Sequence, residues 1–155
     1  MQDATLVGGS EEDRAALLKL HHDYLVANTT YDQDALMSIW SALPEAAFFN
    51  LNGHTYNGRE HWLRLWQFYG PNVASTYWTP YDIGGVIGAD MATIWCHRRT
   101  RRQWRGATPP PRDFHYANDE FVSRSTLVFR REPEGWRVVH AHFSEATNTP
   151  RPGGV

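Results

Sequence analysis

The chain has 155 residues, a formal charge of -2 and 41% apolar residues, the size and composition of one globular domain rather than a disordered or multidomain chain. Its single cysteine, Cys96, excludes an internal disulfide framework and a cysteine-rich zinc site. No run approaches the roughly 18 apolar residues of a membrane span, and no basic region followed by an apolar stretch opens the chain, so the expectation is a soluble, cytoplasmic protein with no membrane partner.

Taken in chain order, residues 1–9 read as a flexible tail. Ser10 offers an N-cap to a helix from Glu11 to about Asn28, with Glu11 and Glu12 in the first turn and Ala16, Leu17, Leu20, Tyr24 and Leu25 at helical spacing. Asp32 then caps a shorter helix through Trp40, and Pro44 ends that region. Glu45–Leu51 is aromatic and strand-like, Asn52-Gly53 is a hairpin signal, and Thr55-Tyr56 returns. Arg59–Tyr69 reads as a third helix carrying Trp62, Leu65 and Trp66, terminated by Gly70-Pro71.

The hydrophobic period then changes. Ala74–Ile87, Met91–Trp104, Phe121–Arg131 and Trp136–Ala146 are rich in Thr, Val, Ile and aromatics and read as strands. Gly106–Asp119 is an irregular insertion whose Pro109-Pro110-Pro111 run cannot be central strand. Residues 149–155 read as a second flexible tail. Helices first and strands last give the α+β class over a single domain, 10–148. Three helices packed on a strongly curved, mainly antiparallel sheet enclose a cone with a pocket inside.

Three stretches carry a family resemblance: Tyr24-Leu25-Val26-Ala27-Asn28 with Asp32 following; Pro44-Glu45-Ala46-Ala47-Phe48-Phe49-Asn50 with Asn57-Gly58-Arg59-Glu60 opening a helix; and Ser125–Arg131 followed by Gly135–Ser144 with its His-x-His-x-Ser ending. In that order they resemble the SnoaL-like branch of the nuclear transport factor two-like superfamily, over about Glu11–Ala146. The last stretch also resembles the association domain of calcium/calmodulin-dependent protein kinase. The resemblance implies a cone-shaped, cystatin-like roll. It does not settle function, because the superfamily hosts isomerases, cyclases, dehydratases, hydrolases, transport factors and assembly hubs.

In the steroid isomerases of that superfamily a tyrosine on the first helix precedes an aspartate by eight residues, and Tyr24 and Asp32 reproduce this. The resemblance makes Tyr24 an oxyanion donor. Asp32 is a candidate base if its loop folds inward. The alternatives are a core aromatic and a helix cap. The family's general-base aspartate falls at Asn50, which cannot abstract a proton at neutral pH but can orient a carbonyl or hydroxyl. His140 and His142 share one strand face, which is either pocket or an interface between copies. In the pocket either one is an acid or base near neutral pH. With His97 from the neighbouring strand they offer a weak metal pattern, and no metal is expected.

Trp40, Phe48, Trp62 and Trp66 either line an aromatic cavity or fill the core. Arg98, Arg99, Arg101, Arg102 and Arg105 divide between two strand faces, which favours a solvated edge or ion pairs between copies over an anionic small-molecule site or nucleic acid. Arg124 can clamp a carboxylate or enolate, or pair on the surface. His115 lies in the insertion, where long loops serve as lids or interface arms. No phosphate loop, nucleophile elbow or dinucleotide fingerprint is present, and no cofactor is expected.

The sequence therefore predicts a small-molecule-binding protein, a cofactor-free lyase, isomerase or cyclase moving protons on a hydrophobic polyketide-like or steroid-like compound. Tyr24, Asp32, His140 and His142 are its catalytic candidates. Trp40, Phe48, Asn50, Trp62, Trp66, His97, His115 and Arg124 are its ligand-binding candidates. A homodimer through the outer sheet face is expected, and nucleic acid is not. The competing reading is a non-catalytic ligand-binding or oligomeric assembly module.

Overall fold

A computed structural model of the protein describes residues 4–112, 120–147 and 149–153. Strand β1 (Ala4–Gly8) opens it. Helices α1 (Glu11–Thr30) and α2 (Gln33–Ile39), strands β2 (Ala47–Phe49) and β3 (Thr55–Asn57), and helix α3 (Gly58–Asn72) follow. Strands β4 (Val73–Ser75), β5 (Thr79–Ile87), β6 (Met91–Trp104), β7 (Glu120–Glu132) and β8 (Gly135–Glu145) complete it. The main ladder runs β1-β5-β6-β7-β8-β2-β3, and β4 pairs with the last residues of β6. β5 to β8 are antiparallel, whereas β1 on β5 and β2 on β8 are parallel. The result is the expected α+β class: three helices packed on a mixed sheet that does not close.

Residues 4–8 join the sheet rather than forming a tail. β1 fits because Gly85 has no side chain: a Cβ there would stand 2.7 Å from Leu6 Cδ2 and 2.6 Å from the Thr93 carbonyl oxygen. α1 starts as the sequence indicates, with Ser10 Oγ accepting from the Asp13 amide at 3.0 Å. It runs two residues further than its spacing suggests, to a left-handed Tyr31 with φ 55. That conformation costs an L-residue roughly 1–2 kcal/mol. Burial of the Tyr31 ring against Trp66 and Tyr69, at 5.8 and 5.6 Å between centroids, offsets it.

α3 passes through Gly70 and Pro71. In its last turn the proline forfeits only one amide bond, and Asn72 Nδ2 donates to the Phe68 carbonyl at 2.8 Å. The expected strand over 74–87 is interrupted at Thr76–Trp78. There the Thr76 hydroxyl and amide pair with Arg101 of β6, and Trp78 turns into the core.

Strict alternation sets the inner face of the long strands. On β6, Ala92, Ile94, Cys96, Arg98, Thr100 and Arg102 are buried, and on β7 the odd-numbered residues from Phe121 to Phe129. β8 begins with even residues inward, Trp136 and Val138. Its register against β7 then slips by one between Val128 and Phe129, leaving Val139 as a bulge. After it the odd residues Ala141 and Phe143 point inward. A one-residue slip inverts every following side chain. The core between sheet and helices is largely aromatic: Trp40, Phe48 and Trp66 are 1% exposed or less. Near the β7–β8 turn, Asp13 of α1 accepts from Trp136 Nε1 at 3.1 Å and Arg131 Nη2 at 2.8 Å. These partners hold its carboxyl down at about 2.

Candidate functional site

A cavity of about 40 Å³ lies inside the cone. α1 contributes Tyr24 and Asn28 to its wall, α3 contributes Trp62, Leu65, Trp66 and Tyr69, and β8 contributes Phe143. Tyr31 and Trp78 complete the aromatic lining. From β6 come two arginines, Arg98 and Arg102, which alternation carries inward behind Ile94 and Cys96. Every wall residue is buried except Asn50, Leu51 and Asn52, which are half-buried and lie on the turn between β2 and β3. That turn therefore forms the mouth.

Arg98 is the most unusual group in the wall. It is 1% exposed. Its Nε donates to Ser123 Oγ at 3.2 Å and its Nη1 to Tyr24 Oη at 3.3 Å. Its guanidinium carbon sits 4.5 Å from the Trp78 ring centre and 4.7 Å from that of Phe143. Cation–π contacts of this kind are worth about 0.5–2 kcal/mol each. Nearby, Arg102 Nη2 donates to Tyr31 Oη at 3.0 Å and packs over Tyr69.

Burial raises the Tyr24 hydroxyl above its ordinary value, with Arg98 opposing, and burial raises Tyr31 likewise, with Arg102 opposing. Both phenols keep their protons at neutral pH. Each accepts from an arginine and has its own hydrogen to give. The described wall holds neither carboxylate nor imidazole. Chemically, it is a set of hydrogen-bond donors in an aromatic shell. It can hold and polarise an oxygen, and it offers no resident group to take a proton from carbon.

Of the residues singled out from sequence, the structure brings Tyr24, Asn50, Trp62 and Trp66 to the cavity. Trp40 and Phe48 pack behind it. Trp40 meets Tyr24, Phe48 and Trp62 at 5.5, 4.5 and 5.7 Å and does not reach the wall. Asp32 caps α2, accepting from the Ala35 amide at 3.0 Å, outside the cone. The β8 bulge turns His140 and His142 to the outer face. There both meet the exposed Phe49, at 5.0 and 5.6 Å, and His140 Nδ1 lies 2.6 Å from the Ala47 carbonyl oxygen. His97 stacks on Tyr81 and lies 3.3 Å from Asp82, also outside. Arg124 faces outward, donating to Ser144 Oγ at 3.1 Å. His115 lies outside the described residues. No cluster of three metal-ligating side chains occurs among the described residues.

Arg98 and Arg102 are the wall residues that the sequence reading left in the arginine run. The signal for them was present: Ala92, Ile94 and Cys96 fix the inward parity of β6, and parity carries on to both. Behind Arg98, buried His21 sits 3.6 Å from Cys96 Sγ, which lies 3.3 Å from Ser125 Oγ. Burial, with Arg98 and His22 adding to it, pushes the imidazole down to about 4, and burial pushes the thiol up. This pair is neutral packing, not an activated thiolate.

Residues 17–148 match the model of the SnoaL-like domain family. A candidate dehydratase of the NTF2-like family from Streptomyces avermitilis superposes with a TM-score of 0.73 at 19% identity, over 89% of this chain and 99% of that one. An NTF2-like protein with a cystatin-like fold from Novosphingobium aromaticivorans gives 0.66 at 21%, over 89% and 84%. A candidate aromatic ring hydroxylase from the same organism gives 0.67 at 19%, over 90% and 93%. At these identities the likeness is one of fold. No curated protein matches the sequence at a significant level.

Proposed function

The chain belongs to the SnoaL-like domain family, and from that premise we propose that it binds a small oxygen-bearing organic molecule inside the cone and polarises the bound oxygen. The observation that carries this reading is the Tyr24–Arg98 pair, two adjacent buried donors on the cavity wall. A carbonyl or enolate oxygen set against such donors is stabilised as negative charge builds on it. That is the electrophilic half of a cofactor-free lyase, isomerase or cyclase. The candidate dehydratase of like fold agrees with it, since loss of water next to a carbonyl passes through an enolate. With no carboxylate or imidazole in the described wall, the departing proton goes to water or to the substrate's own groups.

The same absence favours the second reading, a binding module without turnover. So does size: about 40 Å³ is far below the roughly 300–1,000 Å³ of drug-sized ligand sites. A polyketide-like or steroid-like compound enters only if the Asn50–Asn52 turn moves. We also read the outer sheet face as the contact between two copies. Phe49, Met91 and Trp95 are each more than 40% exposed there.

The test is proton exchange at carbon in D2O, followed by NMR on small ketones and β-hydroxy carbonyl compounds. Exchange that falls at least ~100-fold in Tyr24→Phe supports the lyase or isomerase reading, the usual scale for one oxyanion donor. Binding without exchange selects the module. Neither binding nor exchange overturns both.

A further inference from the structure

We propose that the ligand of the cone is a small organic carboxylate, held through Arg98. This rests on reading the cavity as a ligand site. The argument begins with a charge that lacks a counter-charge. The Nε and Nη1 of Arg98 donate to neutral hydroxyls, those of Ser123 and Tyr24, and Nη2 donates to no described residue. Arg98 makes no ion pair among the described residues, whereas the ion pairs of Lys19, Arg59, His97 and Arg131 lie at the surface. A guanidinium 1% exposed and without a carboxylate is costly to keep. The rings of Trp78 and Phe143 soften that cost without neutralising the charge. Arg98 is also not walled in. It borders the cavity, so an anion entering the cone meets it directly.

The rest of the wall agrees with an acceptor-rich guest. The indole N–H groups of Trp62 and Trp78 are buried with no partner among the described residues, and both residues line the cavity. Asn28, 7% exposed, makes no side-chain hydrogen bond to a described residue. A carboxylate accepts at two oxygens and about four lone pairs, matching the fork of a guanidinium. Size selects further. About 40 Å³ is the room of roughly three waters, enough for a carboxylate on a short chain.

Acetate, acetamide and chloride are titrated separately into the chloride-free protein, with the indole N–H signals of Trp62 and Trp78 read by NMR. The expected result is saturable binding of acetate at least tenfold tighter than acetamide or chloride, with those two signals moving. In Arg98→Gln the acetate affinity falls at least tenfold, and by more than the acetamide affinity. Equal shifts from acetate and acetamide overturn the carboxylate and leave the ligand cavity standing. Chloride binding as tightly as acetate also overturns it, making the site one for a bare ion. An acetate preference that survives Arg98→Gln removes Arg98 as the anchor. If no probe, up to propionate and benzoate, moves the indole signals, the ligand-site reading falls as well. The acid–amide comparison uses the unaltered protein and stands if the variant fails to fold.

Discussion

His21 shows what burying a titratable ring of α1 against the inner sheet face does. It is 2% exposed, and burial, helped by Arg98 and His22, keeps it neutral down to about pH 4. An unfolded chain takes up that proton near pH 6.5. Between the two values protonation favours the unfolded state, so stability falls as pH drops from about 6.5 to about 4, by about 3 kcal/mol in all. Urea unfolding measured across this window gives the slope, and His21→Gln is expected to flatten it. A wild-type curve that is level from pH 6.5 to 4 contradicts the assignment. Arg98 meets the same low-polarity surroundings with the opposite outcome. A guanidinium cannot shed its proton, so the protein must solvate it with hydroxyls and rings. The two residues sit on one buried layer, and only the histidine can escape its charge.

At the level of elements, Gly85 of β5 leaves the space that the Leu6 side chain of β1 fills, where a single methyl group would meet that side chain and the β6 backbone. Gly85→Ala puts a Cβ 2.6 Å from the Thr93 carbonyl oxygen, on β6 itself, and 2.7 Å from Leu6. The expected cost is about 1–3 kcal/mol in thermal or urea unfolding. Faster proteolysis at residues 4–8 should accompany it. Stability and cleavage unchanged from the wild type would contradict the packing of β1. The five residues of that strand were not legible as such, because Ala4–Gly8 carries no alternation long enough to read and its partner lies some eighty positions away. β6 was legible to the residue, since fourteen positions of alternation leave little choice of face. The β8 histidines were not. Nothing in Trp136–Phe143 marks Val139 as the extra residue, and one extra residue decides whether His140 and His142 look into the cone or away from it. Tyr24 was a site candidate through the resemblance, by its spacing of eight residues to Asp32, whereas the buried stripe of its helix spoke equally for a core aromatic. Asp32 read both as a candidate base and as a cap, and capping is the role it takes in the structure.

For the whole molecule, the two faces of the sheet have different fates. One covers the cavity and core. The other carries a row that runs across four strands, Phe49 beside His142, then Thr126, then Trp95. A second copy laid on this row would bury its aromatic members. Sedimentation or light scattering should then give a dimer for the wild type and a monomer for Trp95→Asp, which puts a charge within the contact. A wild-type monomer at tens of micromolar would remove the dimer. Fold and layer order were readable from the switch between helical and strand periods. Which aromatics lie on the outer face was not, because exposed and buried aromatics look alike in a sequence.

The turn between β2 and β3 has a bearing on rates. Its three residues, Asn50, Leu51 and Asn52, are the half-buried part of the wall, and the turn is closed on itself. The Gly53 amide donates to Asn50, the His54 amide to the Asn52 side chain, and Asn52 Nδ2 to Tyr56. In the ligand-site reading, a guest that enters by this turn passes the clasp in both directions. The clasp therefore bears on how long a visit lasts. Variation in these few surface positions would retune exchange from fast to slow while the arginine and tyrosine beneath them stay as they are.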